Sequence, residues 1–252
     1  MPLKIWQRKR KHSIRTIINR TGEPAILYVV KGGIQWRMMP HDFPDWRLVY
    51  YYFRQWSSQG LVQQIHDQLV TKVRLQVGRQ ASPSLGLVDS QSVKTMSVTT
   101  LKGYDGNKRL TGRKRFIIVD VLGLVLALRL TSANIGERAG ALLLFTALGQ
   151  RFTRLKTILA DQGFDGVDFL ATVKATYQLS IDVVCGVLGV KGFQVLPKPH
   201  RRTGWIVERT FGWWAFHRRL AKDYEVKETH AEAIIYWTMI RLMSRKIRET
   251  QS

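Results

Sequence analysis

Residues 1–77 are patterned for helices. "AILYVVKGG" begins an amphipathic helix that Gly32 and Gly33 break. "DWRLVYYYFRQWSSQG" brings Leu48, Tyr51, Tyr52, Gln55 and Trp56 towards one face and stops at Gly60. "LVQQIHDQLVTKVRLQV" repeats the pattern with Leu61, Ile65, Leu69 and Val73. Short helices joined by Gly- and Pro-containing turns suit a small helical DNA-binding domain, and equally a packing subdomain. The stretch 78–86, "GRQASPSLG", gathers Gly, Ser and Pro and reads as a linker. Beyond it the period shortens. "LGLVDSQSV" is a strand, and "RKRFIIVDVLG" and "LVLALRLTSAN" are two more, joined by a hairpin at "DVLGL". "ERAGALLLFTALGQRF" is a helix, "LKTILADQG" a strand, "VDFLATVKATY" a helix and "LSIDVVCG" a strand. "WIVERTFGWWAFHRRLAKDYE" is a helix, and "THAEAIIYWTMIRLMSRKIR" is a last amphipathic one. Three strands followed by alternating helices and strands predict a mixed sheet with helices on both faces. The expected division is a helical domain over 1–77, a linker over 78–86, an α/β domain over 87–228 and a C-terminal helix packed on it over 229–252.

Charge adds a partner to this picture. Among 252 residues, 40 are Lys or Arg and 18 are Asp or Glu, a net charge of +22. Solubility needs far less, so a polyanionic partner is expected, and nucleic acid leads. An anionic membrane fits less well, because the basic residues are spread over many segments. No apolar run approaches the roughly 18–20 residues of a membrane span, and the N-terminus lacks a signal-peptide core. One cysteine, Cys185, excludes an internal disulfide and reads as a small buried hydrophobe. A reducing cytoplasm is the expected compartment.

Two acids sit where chemistry is placed in such sheets. Asp89 follows the apolar run "LGLV" and Asp161 follows "KTILA", so each is expected at a strand's carboxyl end. Either alone reads first as a turn or cap acid. On neighbouring strands they would converge, and their repulsion would call for a cation. Hard carboxylate oxygens suit Mg2+ or Mn2+, and two such ions can act on a phosphodiester. Glu208 is the natural third acid, alone among six Lys and Arg in residues 201–222. At about 100° per residue, Glu208, Gly212, Ala215, Arg219 and Lys222 share one helix face, opposite Ile206, Trp213, Leu220 and Tyr224. A solvated face, with Glu208 paired to a nearby arginine, is the other reading. Asp105, Asp120, Asp165 and Asp182 rank lower, as turn, cap or strand residues.

These residues carry a resemblance. "VDSQSVKT", "GRKRFIIVDVLGLVLALRLTSANIGERAGA", "LADQGFDG" and "WIVERTFGWWAFHRRLAKDYE" are similar, in this order, to segments of the IS5-family insertion-sequence transposases, within the IS4-like DDE group. "GGIQWRMMPHDFPDWRLVYYYFRQW" resembles the helical region preceding their catalytic domain. The resemblance implies an α/β fold with an RNase H-like catalytic core, preceded by a small all-α domain. It implies that Asp89, Asp161 and Glu208 hold two Mg2+ or Mn2+ ions, cut DNA at the element's terminal repeats and transfer the 3′-OH ends to target DNA. It also implies a homodimer, since two ends are cut together. The group carries an arginine four residues before the glutamate, where this chain has Gly204. The opening twenty residues are unlike the family's longer N-terminal region, so a truncated start is expected. Expected DNA contacts are Lys94, Lys108, Arg109, Arg113, Lys114, Arg115, Arg201, Arg202, Arg209, Arg218, Arg219 and Lys222. Trp213 and Trp214 could stack on a base, although adjacent helical tryptophans more often serve the core. A DNA-binding derivative without catalysis, or a nuclease without strand transfer, is the alternative.

Overall fold

The computed structural model describes residues 24–96, 98–184 and 204–249. Cys185, Arg201, Arg202 and the opening twenty residues lie outside them.

Helices α1 (Ala25–Gly32), α2 (Trp46–Ser58) and α3 (Leu61–Gln76) come first. They are followed by strands β1 (Leu85–Lys94), β2 (Gly103–Asp105), β3 (Leu110–Val119) and β4 (Val125–Ser132). Helix α4 (Glu137–Leu148), strand β5 (Thr157–Ala160), helix α5 (Val167–Tyr177) and strand β6 (Ser180–Val183) alternate as expected. Helices α6 (Gly204–Ala215) and α7 (Glu228–Glu249) end the chain. The six strands form one mixed sheet in the order β2-β3-β1-β5-β6, and β4 lies beside β3 next to β2. β1 runs antiparallel to β3 and parallel to β5, and β5 is parallel to β6. The fold is mixed α/β, as the sequence pattern predicts, and its core is RNase H-like, as the family resemblance implies. Short β2 is the strand that the pattern did not reveal.

The two-residue period of β3 separates the two helical layers. Phe116 faces α4, where a Cβ on Gly140 would come within 2.1 Å of its ring. Arg115, one residue away, faces the other layer and stacks on Trp214 of α6. A Gly140→Ala variant therefore tests the α4 layer. In an exposed helix the change gains about 1 kcal/mol. Here the fully buried Phe116 ring must move, and the expected net loss in thermal or chemical denaturation is about 1–3 kcal/mol.

The N-terminal helices share the core of the sheet domain. α3 and α1 pack against α7, which in turn covers β4. Arg74 of α3 donates to the fully buried Asp120, whose Oδ1 also takes the Leu122 and Leu124 N–H groups of the β3–β4 hairpin. The buried faces are rotated from those expected. α2 buries Val49, Phe53 and Trp56, leaving Leu48 and Tyr51 exposed. α3 buries Leu61 and Val73 from the expected face, together with Val62, His66, Val70 and Arg74, and leaves Ile65 and Leu69 half-buried. Residues 85 and 86 of the expected linker already belong to β1. Among the described residues, no helix is long and apolar enough to cross a membrane.

The C-terminal basic segment departs from its expected helix. α6 ends at Ala215, and Arg218–Leu220 form a separate 3-10 turn. Tertiary contacts hold it there. Arg219 bonds the Glu225 carboxylate at 2.7 and 2.9 Å and donates to the Ile34 carbonyl. Lys31 donates to the Phe216 carbonyl. Gly33 has φ 71 and lies so close to the turn that a Cβ there would sit 2.7 Å from that of Arg218. Glycine both ends α1 in the left-handed region and admits this neighbour. Arg219, Leu220, Lys222 and Tyr224 are thus not on the helix face or back predicted for them.

Candidate active site

Asp89 lies in the middle of β1, not at its end. The strand continues to Lys94 because residues 90–94 pair with 112–116 of β3. On the other side the parallel ladder stops early, with Leu87 opposite Leu159. That edge of β1 is therefore unpaired from Asp89 until Lys94, whose carbonyl accepts the Asp223 N–H at 2.9 Å. Two residues beyond the same register pair, Asp161 leaves the end of β5. Its Oδ1 accepts the Gly163 N–H at 3.0 Å, so it caps the 3-10 turn Gln162–Phe164 as well. The turn role and convergence with Asp89 are compatible.

Glu208 reaches this edge from α6. That helix buries Ile206, Val207, Thr210 and Trp214, and leaves Glu208, Gly212 and Ala215 exposed. The Thr210 hydroxyl donates to the Gly123 carbonyl at 3.0 Å, pinning the helix to the β3–β4 turn. The nearby arginines considered as partners for Glu208 are engaged elsewhere. Arg209 lies between the Trp205 and Trp213 rings, 4.4 and 4.8 Å from their centroids, and donates to the Leu122 carbonyl. Arg219 is held by Glu225.

The carboxylates act on one another. Burial first, and Asp161, Glu137 and Glu208 after it, raise the Asp89 carboxyl to about 6, against the Ser90 N–H that Oδ1 accepts. Glu137, the first residue of α4, is the acid that the sequence reading missed. An acid opening a helix reads as a partner of the helix dipole, and only its place directly after β4 hinted at more. Its Oε2 is buried and has no hydrogen-bond partner. Among the described residues, no group of three or more Asp, Glu, His or Cys side chains lies close enough together to hold a metal ion as it stands. The donor set nevertheless fits a hard divalent cation: oxygen ligands only, mutually repelling, with one carboxylate oxygen buried and unsatisfied.

Residues 80–243 match the family model "Transposase DDE domain", and residues 1–66 match "Putative transposase of IS4/5 family". The chain belongs to the DDE transposases of the IS4/5 type. Comparison with curated proteins finds no match. The family match starts at residue 1, so it takes in the opening residues that looked unlike the family.

The transposase domain distributes its basic residues differently from expectation. Arg113 is fully buried, donating to Asp223 Oδ2 and to the Leu101, Glu225 and Val226 carbonyls. Lys114 is buried between Glu137 and Asp105. Arg115 is buried against Trp214, donating to Gln91 and the Leu220 carbonyl. β3 is covered on both faces, so its alternating cations point into the helical layers. Arg209 and Arg219 are likewise committed internally. Lys94, Lys108, Arg109, Arg218 and Lys222 are exposed. Trp214 is core, its indole N–H directed at Met239 Sδ, and Trp213 stacks on Arg209. Gly204 opens α6 with nothing within 4 Å of a Cβ, so an arginine's stem would fit there.

Proposed function

We propose that this transposase domain cleaves phosphodiester bonds at the ends of an insertion sequence and joins the freed 3′-OH to target DNA. Asp89, Asp161 and Glu208 are the residues that hold two Mg2+ or Mn2+ ions. The observation supporting this reading is that Asp161, at the end of β5, and Glu208, on α6, both lie near enough to Asp89 on β1 to raise its carboxyl, within a DDE domain. Bound cations there supply charge neutralisation at the phosphate and a more acidic water. The protein's part is to hold ionised carboxylates at fixed places on a rigid sheet and one helix. Positioning and electrostatics of this kind carry most phosphoryl-transfer catalysis.

The substrate is double-stranded DNA, both the terminal inverted repeats and the target. Cutting two ends together calls for a homodimer. Contacts to phosphate come from the exposed cations Lys94, Lys108, Arg109, Arg218 and Lys222, and from Arg201 and Arg202, which precede Glu208 in sequence. Lys94 ends the strand that carries Asp89. A Lys94→Ala variant is expected to lower the magnitude of the log K against log salt slope by about 0.9 if it removes one phosphate contact. Its unfolding midpoint should not change, because the side chain is exposed.

The test is incubation of a labelled duplex, carrying the inverted repeats that flank this gene, with Mg2+ and a target plasmid. Nicks leaving a 3′-OH and joined products are expected. Nicking without joining would point to a nuclease. Binding without nicking, in Mg2+ and in Mn2+, would point to a non-catalytic derivative.

A further inference from the structure

Glu137 is close to the acid site and unused by the reading above. It sits in the layer opposite α6, since it meets Ser90 and Lys114 on the Phe116 face of the sheet. Its Oε1 accepts from Ser90 Oγ at 3.1 Å and from Lys114 Nζ at 3.3 Å. Ser90 is also the residue whose N–H donates to Asp89 Oδ1 at 2.7 Å. A second contact reaches Asp161. A Cβ placed on Gly163 would lie 3.0 Å from Glu137 Cγ and 3.1 Å from Asp161 Oδ1. With glycine there, Glu137 packs directly on the turn that Asp161 caps.

Lys114 does not account for Glu137 fully. Its ammonium is shared with Asp105, 3.8 Å away. Oε2 of Glu137 has no donor at all, although it is shielded from solvent. Leaving a carboxylate oxygen buried and unpaired costs more than a typical lost hydrogen bond. The side chain as a whole retains 30% exposure, so it borders an opening and not the deep core.

We propose that Glu137 is a fourth carboxylate of the site: a positioning residue that fixes Asp89 through Ser90 and whose Oε2 accepts a hydrogen bond from water on the bound divalent cation. This rests on the proposed reading of Asp89, Asp161 and Glu208. Magnesium binds through few carboxylates and keeps several waters, which need acceptors. Partners of this outer kind are typically worth 10–100-fold in affinity.

The test is Mn2+ titration of the DNA-free protein, followed by electron paramagnetic resonance. The isosteric Glu137→Gln variant keeps an acceptor for Ser90 and is expected to bind Mn2+ about 10–100-fold more weakly. Glu137→Asp should recover part of the loss. Lys114→Met, which removes a nearby positive charge, should bind Mn2+ more tightly. Unchanged affinity in Glu137→Gln overturns the proposal and leaves the three-acid reading standing. Equal weakening in Glu137→Gln and Lys114→Met also overturns it, since the two residues would then be only a structural pair. No Mn2+ binding by the unaltered protein overturns the three-acid reading and this one with it.

Discussion

An Asp89→Asn variant should lose most of its cleavage activity and yet be more stable than the unaltered protein when no divalent cation is present. Burial and the neighbouring acids raise the Asp89 carboxyl from 3.8 to about 6. The folded state therefore holds this proton more tightly than the unfolded chain does. Between about pH 4 and pH 6 stability falls as pH rises, and above pH 6 the whole penalty is present. Asparagine carries no charge and escapes it. At pH 7 the variant should unfold with a free energy higher by roughly 2 kcal/mol, given about 1.4 kcal/mol per pKa unit and some screening at a partly exposed site. The difference should vanish below about pH 4. Added Mg2+ reverses the order, because it stabilises only the protein that binds it. In cleavage, loss of one electrostatic partner of the reaction costs on the order of 100- to 1,000-fold. With limiting Mg2+, cleavage by the unaltered protein should rise with pH through about 6 as Asp89 ionises, and more Mg2+ should move that midpoint lower. Denaturation curves at several pH values and nicking assays read both effects. Retention of full cleavage by Asp89→Asn would falsify the proposed role of this acid.

The parts of this site that were legible in the sequence are those set by local pattern. Apolar runs marked β1 and β5, and the acids following them fell beside one another because those strands are parallel neighbours. The open edge could not be read, since it depends on β5 stopping while β1 continues along β3. The alternation in "DSQSVK" did carry that continuation, with Ser90 and Ser92 on one side and Gln91 and Val93 on the other. Helix boundaries held where capping or glycine set them, as at Asp45, Gly33 and Gly60. They failed at Ala215, where no residue type stops the helix. There the stop comes from Arg219, Lys31 and Gly33, which are distant in sequence or act only in the folded state. Glu137 was missed for a related reason: its relevance lies in Ser90 and Asp161, not in its own neighbours.

The largest misreading concerned "GRKR", and it gives the second large prediction. Three basic residues in a row on a chain of charge +22 look like a DNA-facing patch. In a strand covered on both faces they cannot all face solvent, and here all three are buried. Arg113→Met should therefore act on stability and not on DNA affinity. The substitution strands Asp223, which is 2% exposed and bonded to Arg113 at 2.9 Å, and it frees the Leu101, Glu225 and Val226 carbonyls. Breaking one side of a buried pair costs about 3–5 kcal/mol, which for a chain of this size lowers the melting temperature by roughly 10 °C. Asp223→Asn on top of Arg113→Met should restore part of that loss, because the stranded charge is gone, so the two changes will not add. At a temperature where the variant is still folded, its DNA salt slope should match that of the unaltered protein, unlike Lys94→Ala. A lower slope with an unchanged melting temperature would return Arg113 to the DNA-facing surface. The basic charge of this strand serves the fold: it ties β3 to the Asp223–Val226 segment that follows the Arg218–Leu220 turn, and so fixes the layer from which Glu208 is presented.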